Sequence, residues 1–230
     1  PSDIQEAIRL LRAATDSGIN FFDTARMYGN SEQIMGKAFT DRRDHVVLST
    51  KCRHLRNQQG ILPSGRELHH MIRTSLHESL EALQTDYIDI FMLHQADLEI
   101  LENEEISAVF TEIKKEGLCR ATGVSTYTPE ETQKVTETES WDTIQLPFNL
   151  MDQRQEAFFE AASKKGIGIV IRSVLLKGLL SNRGKNLHPA LIKVEEHLAS
   201  YHELMEATGY NLPTLATKFA LSFPGISAVL

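Results

Sequence analysis

Short apolar runs alternate with amphipathic stretches from one end of the chain to the other. This alternation limits the possible folds more than any other feature. Runs at residues 19–22, 45–51 ("HVVLSTK"), 87–94 ("YIDIFMLH"), 119–125 ("CRATGVS"), 143–150 ("TIQLPFNL") and 166–174 ("GIGIVIRSV") read as strands, and "GISAVL" opens a seventh. Strands buried on both faces and separated by helices imply a parallel sheet. Ile4, Ala7, Ile8, Leu11 and Ala14 form one helical face, opened by a Ser2/Gln5 capping box and stopped by Gly18. Ser31 starts a short helix to Phe39, and Ser64 with Glu67 caps a long one through Leu83. A helix over residues 102–116 stops at Gly117. Thr128, Pro129 and Glu131 supply a cap, a first-turn proline and a capping box. Helices are also expected after the fifth strand, to Lys165, and over residues 189–207 and 214–222.

No linker or low-complexity tract divides the chain, so the pattern predicts one α/β domain over residues 1–230. Its expected architecture is a (β/α)8 barrel of the TIM type. A closed barrel requires eight strands, and this chain opens directly on a helix. The reading therefore puts the first strand before Pro1 and further C-terminal chain after Leu230. A doubly wound sheet would show GxGxxG or a P-loop after an early strand; neither motif occurs.

The formal net charge is −7 with no basic block, which argues against a nucleic-acid partner. No apolar run approaches the roughly 18–20 residues that span a bilayer, and no charged-then-apolar leader precedes the first helix. Cys52 and Cys119 lack pairing or metal spacing, as expected of a protein in a reducing cytoplasm. His69, His70 and His77 lack HExxH spacing, so no metal is expected, and no GxSxG elbow points to a serine hydrolase.

Four polar residues mark strand ends. Asp23 and Tyr28 follow the first strand, Lys51 ends the second and His94 ends the third. Singly, each has an ordinary explanation: a turn aspartate, a packing tyrosine, a solvated lysine, a satisfied histidine. In a barrel, however, the C-terminal ends of neighbouring strands open on one face. "GINFFDTARMYGNSE", "STK" and "FMLH" resemble, in order and spacing, three signatures of the aldo-keto reductases, a family of nicotinamide-dependent carbonyl reductases. The resemblance runs from Pro1 to Leu230 and implies a catalytic tetrad of Asp23, Tyr28, Lys51 and His94. Carbonyl reduction needs a hydride at carbon and a proton at oxygen. A free phenol, pKa about 10, is a poor acid at neutral pH. Lys51 is expected to lower the Tyr28 pKa, Asp23 to hold Lys51 charged, and His94 to orient the carbonyl.

The same resemblance implies NADP(H) as cofactor, with NAD(H) left open because the adenosine-phosphate loop of relatives follows the last strand. Ser125 and Gln145 would hold the nicotinamide carboxamide; Gln145 alone reads equally as a buried strand glutamine. Many relatives have asparagine after that serine, where this chain has Thr126. In "RSVLLKGLL", Ser173, Leu175, Lys177 and Gly178 match a diphosphate-contacting segment. Arg172 stands where many relatives place an aromatic ring against the nicotinamide, and its charge should disfavour the oxidised ring. Its alternative role is a salt bridge at the barrel mouth. Cys52, next to Lys51, should point away from the pocket. The expected partner is a small carbonyl substrate, an aldehyde or ketone. The rival reading is a nicotinamide-binding regulatory subunit, as some aldo-keto-like proteins are for ion channels. Neither the substrate's identity nor the oligomeric state is legible in the sequence.

Overall fold

The structure, a computed structural model, describes residues 3–185 and 187–230. Its elements alternate as the sequence predicts: α1 (Ile4–Asp16), β1 (Phe21–Asp23), α2 (Ser31–Phe39), β2 (Val47–Lys51), α3 (Gly65–Leu83) and β3 (Ile88–Leu93). Then come α4 (Leu98–Glu102), α5 (Glu104–Lys115), β4 (Cys119–Ser125), α6 (Pro129–Glu137), β5 (Thr143–Pro147), α7 (Phe159–Lys164) and β6 (Gly168–Arg172). The described chain ends with α8 (Ile192–Ala199), α9 (His202–Thr208), α10 (Leu212–Leu221) and β7 (Ile226–Val229).

The seven strands form one sheet in the order β1 to β7, every neighbouring pair parallel. The sheet is curled into a barrel of the (β/α)8 type. Strands lie about 4.8 Å apart, so in a flat sheet β1 and β5 would stand roughly 19 Å apart. Gln145 of β5 nevertheless bonds Asp23 of β1 at 2.9 Å, across the interior. Alternation then sorts the side chains. One face of the strands sends Ser49, Lys51, Met92 and Gln145 inward. The other sends Leu48, Phe91, Ile144, Ile169 and Ile171 outward into one core with Leu68, Ile72, Leu76, Phe110, Phe159 and Ala216 of the helices. Among the described residues, no helix is long and apolar enough to cross a membrane.

Several boundaries differ from the expected ones. The first strand runs Phe21–Asp23, because its register is set by Phe21 against Val47; Ile19 is left exposed. His45 ends a 3-10 turn rather than opening β2. Ser2 lies outside the described residues, and Asp3 caps α1 by accepting from the Gln5 N–H. Ser64 makes no side-chain cap; Gly65 N–H donates instead to Glu105. The helix expected over residues 102–116 is two, because Asn103 caps a fresh start through the Glu105 and Ile106 amides. The stretch 189–207 is likewise a 3-10 turn followed by α8 and α9. The Thr128 capping box is present with both of its bonds.

Gly36 marks the tightest helix contact. A Cβ there would lie 2.5 Å from the Ala82 carbonyl oxygen and 2.8 Å from the Leu83 carbonyl carbon, both backbone. Gly36→Ala must therefore push α2 off α3, at a cost of about 1–3 kcal/mol. We expect the thermal midpoint to fall by several degrees; an unchanged midpoint would show that the two helices separate freely.

Candidate active site

Asp23 closes β1, Lys51 closes β2, and His94 follows β3 directly, so all three stand at the C-terminal edge of the sheet. Lys51 is 1% exposed. Its ammonium donates to Asp23 Oδ2, and to the Thr24 carbonyl at 2.9 Å. The other oxygen of Asp23 accepts from Ser49 Oγ and Gln145 Nε2, both at 2.9 Å. One carboxylate thus gathers donors from β2 and β5. Burial of an unpaired charge costs several kcal/mol; here each charge has its counterpart and further polar partners.

Tyr28 is set by the turn after β1. Its N–H donates to Ala25 O at 2.9 Å, and its carbonyl accepts from Ser31 N–H at 3.1 Å. Gly29, at φ +58°, lets the chain turn at once into α2. Tyr28 is 52% exposed; its ring stands edge-on to the His94 ring at 5.3 Å and lies 5.7 Å from Lys51 Nζ. His94 is buried, and its Nδ1 has no partner among the described residues. The His54 ring lies edge-on to it at 4.8 Å.

The electrostatics correct one expectation. The Tyr28 phenol is not lowered by its neighbours: burial first, then the negative charge of Asp23, push it above its ordinary value, while Arg172 pulls the other way. Burial also pulls the Lys51 ammonium below the usual lysine range, against the opposing pull of Asp23. His94 is pulled down to about 4, by burial, then by His54 and Lys51. At neutral pH the site therefore holds a protonated phenol beside a neutral imidazole.

Next to these lies a second group of residues. Ser125 and Gln145 are paired in register on β4 and β5, and both are buried. Gln145 already donates to Asp23, so it joins the two groups. Thr126 is turned outward, its hydroxyl tied to Thr132 of α6 at 2.7 Å. Arg172 ends β6; its guanidinium lies 4.3 Å above the Tyr127 ring and donates to Thr126 O at 3.0 Å. It has no carboxylate within salt-bridge distance among the described residues, so its alternative role, a salt bridge at the barrel mouth, is not formed. Beyond it, Ser173, Leu176 and Lys177 all adopt left-handed backbone, as does Gly178. Three non-glycine residues with positive φ within five positions are strain of the kind that clusters in binding loops. The Leu176, Gly178, Leu179 and Leu180 amides donate to carbonyls within the loop itself.

Cys52 lies in the outer core, and burial pushes its thiol up to about 12. Among the described residues, no group of His, Cys, Asp and Glu could hold a metal ion; His69 contacts Glu112 instead, at 3.2 Å. Sequence reasoning missed Ser49, His54 and Tyr127. Ser49 was accessible through the period of two from Lys51. No local signal brings His54 to His94.

An acid, a lysine, a phenol and an imidazole brought together at the C-terminal edge of a parallel barrel make a candidate enzyme site. The aldo/keto reductase family profile matches residues 1–230. The chain is 31% identical over 252 aligned residues to the aldo-keto reductase YhdN of Bacillus subtilis, spanning 100% of this chain and 75% of that protein. It is 28% identical to the NADH-specific methylglyoxal reductase of Escherichia coli, over 99% of this chain and 78% of that one. A holo-form aldo-keto reductase from Bacillus halodurans superposes with a TM-score of 0.81 at 28% identity, covering 100% of this chain and 77% of that structure. The chain belongs to the aldo/keto reductase family and is an oxidoreductase.

The His94 shift has a measurable consequence. Between about pH 4 and the ordinary histidine value near 6.5, the unfolded chain binds a proton that folded His94 refuses. Its contribution to stability is complete above about pH 6.5 and is lost as pH falls toward 4. We expect His94→Gln to flatten the pH dependence of the urea midpoint across that window. We also expect the His94 imidazole NMR signals to stay neutral at pH 5. A His94 that titrates near 6.5 contradicts the burial argument.

Proposed function

We propose that the protein reduces an aldehyde or ketone to the alcohol with NADPH, and that Tyr28 delivers the proton to the carbonyl oxygen. The observation that carries this reading is the half-exposed phenol, edge-on to the buried imidazole at 5.3 Å, with the Lys51–Asp23 pair behind it. Two features support the fit of the cofactor: the buried, register-paired Ser125 and Gln145, and the strained loop of Ser173, Leu176 and Lys177. Ser125 and Gln145 would hold the carboxamide, Arg172 would lie against the nicotinamide ring, and Ser173, Leu175, Lys177 and Gly178 would hold the diphosphate. When bound, NADPH supplies the hydride.

The chain's own residues then have separable tasks. Tyr28 O–H gives its proton to the oxygen on which negative charge develops. A phenol is a weak acid, so the phenolate left behind must be stabilised as it forms. Lys51 can do this because Asp23 keeps its ammonium in place. His94, neutral, carries one ring N–H and can direct it at the carbonyl oxygen without competing as an acid. Positioned proton transfer of this kind contributes typically 10²–10⁴-fold. NADH remains open as the alternative donor, since the methylglyoxal reductase relative is described as NADH-specific.

Tyr28→Phe removes one oxygen and keeps the ring. We expect NADPH affinity, read by fluorescence titration, to survive while kcat falls by at least about 10²-fold. A Tyr28→Phe enzyme that reduces aldehydes at wild-type kcat, with chemistry rate-limiting, would falsify the assignment.

A further inference from the structure

Behind the site, on the outer side of the sheet, lies a buried carboxylate with no part in the chemistry above. Glu32, in the first turn of α2, is 1% exposed. Its Oε1 accepts from Thr50 Oγ1 and its Oε2 from Arg26 Nη1, each at 2.7 Å. Both partners adjoin proposed catalytic residues. Thr50 precedes Lys51 on β2, and adjacent strand residues face opposite sides, so Thr50 reaches outward to Glu32 while Lys51 reaches inward to Asp23. Arg26 lies two residues before Tyr28, and its own N–H donates to the Lys51 carbonyl at 3.0 Å. The Arg26 guanidinium also reaches Glu78 at 3.1 Å, a carboxylate shared with Arg53.

We infer that Glu32 is a positioning residue that fixes the Tyr28 turn against the end of the strand carrying Lys51. Three elements meet at its two oxygens: the turn through Arg26, β2 through Thr50, and α2 through its own backbone. As a source of stability the arrangement is a poor choice, because an apolar group of similar volume often serves as well as a buried ion pair. As a geometric device it is effective. Two charge-assisted bonds fix direction as well as distance, and misplacement of a catalytic group by about 1 Å can cost 10²-fold in rate. The inference rests on Tyr28 acting as the proton donor.

The test is a double-mutant cycle with NADPH and 4-nitrobenzaldehyde, with kcat expressed per NADPH-binding molecule. Glu32→Ala should lower kcat by roughly 10- to 100-fold, with the Kd for NADPH changed by less than about twofold. In the Tyr28→Phe background, the same substitution should cost almost nothing, because the group it positions is gone. Glu32→Gln should restore most of kcat, since an amide can still accept from Arg26 and bond Thr50. A purely structural Glu32 predicts wild-type kcat per binding-competent molecule, or an equal loss in both backgrounds, and either result overturns the inference. Should Glu32→Ala fail to fold, Thr50→Val carries the same cycle with one bond removed. A Tyr28→Phe enzyme of wild-type kcat overturns the donor assignment and this inference with it. A Tyr28→Phe loss beside an unaffected Glu32→Ala overturns this inference alone.

Discussion

The buried contact between Lys51 and Asp23 is the constraint around which the barrel interior is arranged. A 1%-exposed ammonium inside a sheet cannot stay there unless the fold supplies an anion and other acceptors. The chain supplies Asp23 at the end of the neighbouring strand and the Thr24 carbonyl just beyond it. Asp23 in turn needs donors on its other oxygen, and Ser49 and Gln145 provide them. Gln145 reaches Asp23 only because the sheet curls, so satisfying one charge and closing the barrel interior are a single problem. Gly123 belongs to the same accounting. A Cβ there would lie 3.0 Å from the Met92 side chain, which fills the space beside the polar cluster.

Two layers of charge thus sandwich β2. Inside, Lys51 meets Asp23; outside, Thr50 meets Glu32 and, through it, Arg26. The turn that carries Tyr28 is held by backbone bonds to β2, Thr24 N–H to Ser49 O and Arg26 N–H to Lys51 O. On the proposed reading, the phenol can remain half-exposed, open to substrate, because rigidity comes from beneath it. Arg172 stands across from it with, among the described residues, only the Tyr127 ring and backbone or hydroxyl oxygens as partners. Its charge acts on the phenol, favouring the anion there.

The strands were legible because each is an apolar run short enough for a strand and flanked by helix caps. Their ends were less so. Ile19 looks like the start of β1, yet register against Val47 begins the strand at Phe21. Asn103 splits an expected helix because a side chain that satisfies two amides outweighs continuity of the apolar face. Asp23, Tyr28, Lys51 and His94 could be found from their positions at strand ends. What sequence could not show is that Gln145 bonds Asp23, a contact 122 residues away in the chain. Nor could it show that Thr126 turns to Thr132, or that the phenol is raised rather than lowered. Each depends on curvature and on which charges cancel, and these are properties of the assembled barrel. Ser49 is the exception: the period of two from Lys51 would have found it.

The account depends on Lys51 being a charged partner of Asp23 in the resting protein. The most direct measurement is ¹⁵N NMR of the lysine Nζ, with Lys51 assigned by its loss in Lys51→Met. The account predicts an ammonium signal at pH 7 that titrates below the ordinary lysine value of about 10.4, as burial requires. It also predicts that the signal shifts when Asp23 is replaced by Asn. A neutral amine at pH 7, or an ammonium indifferent to Asp23→Asn, would contradict it.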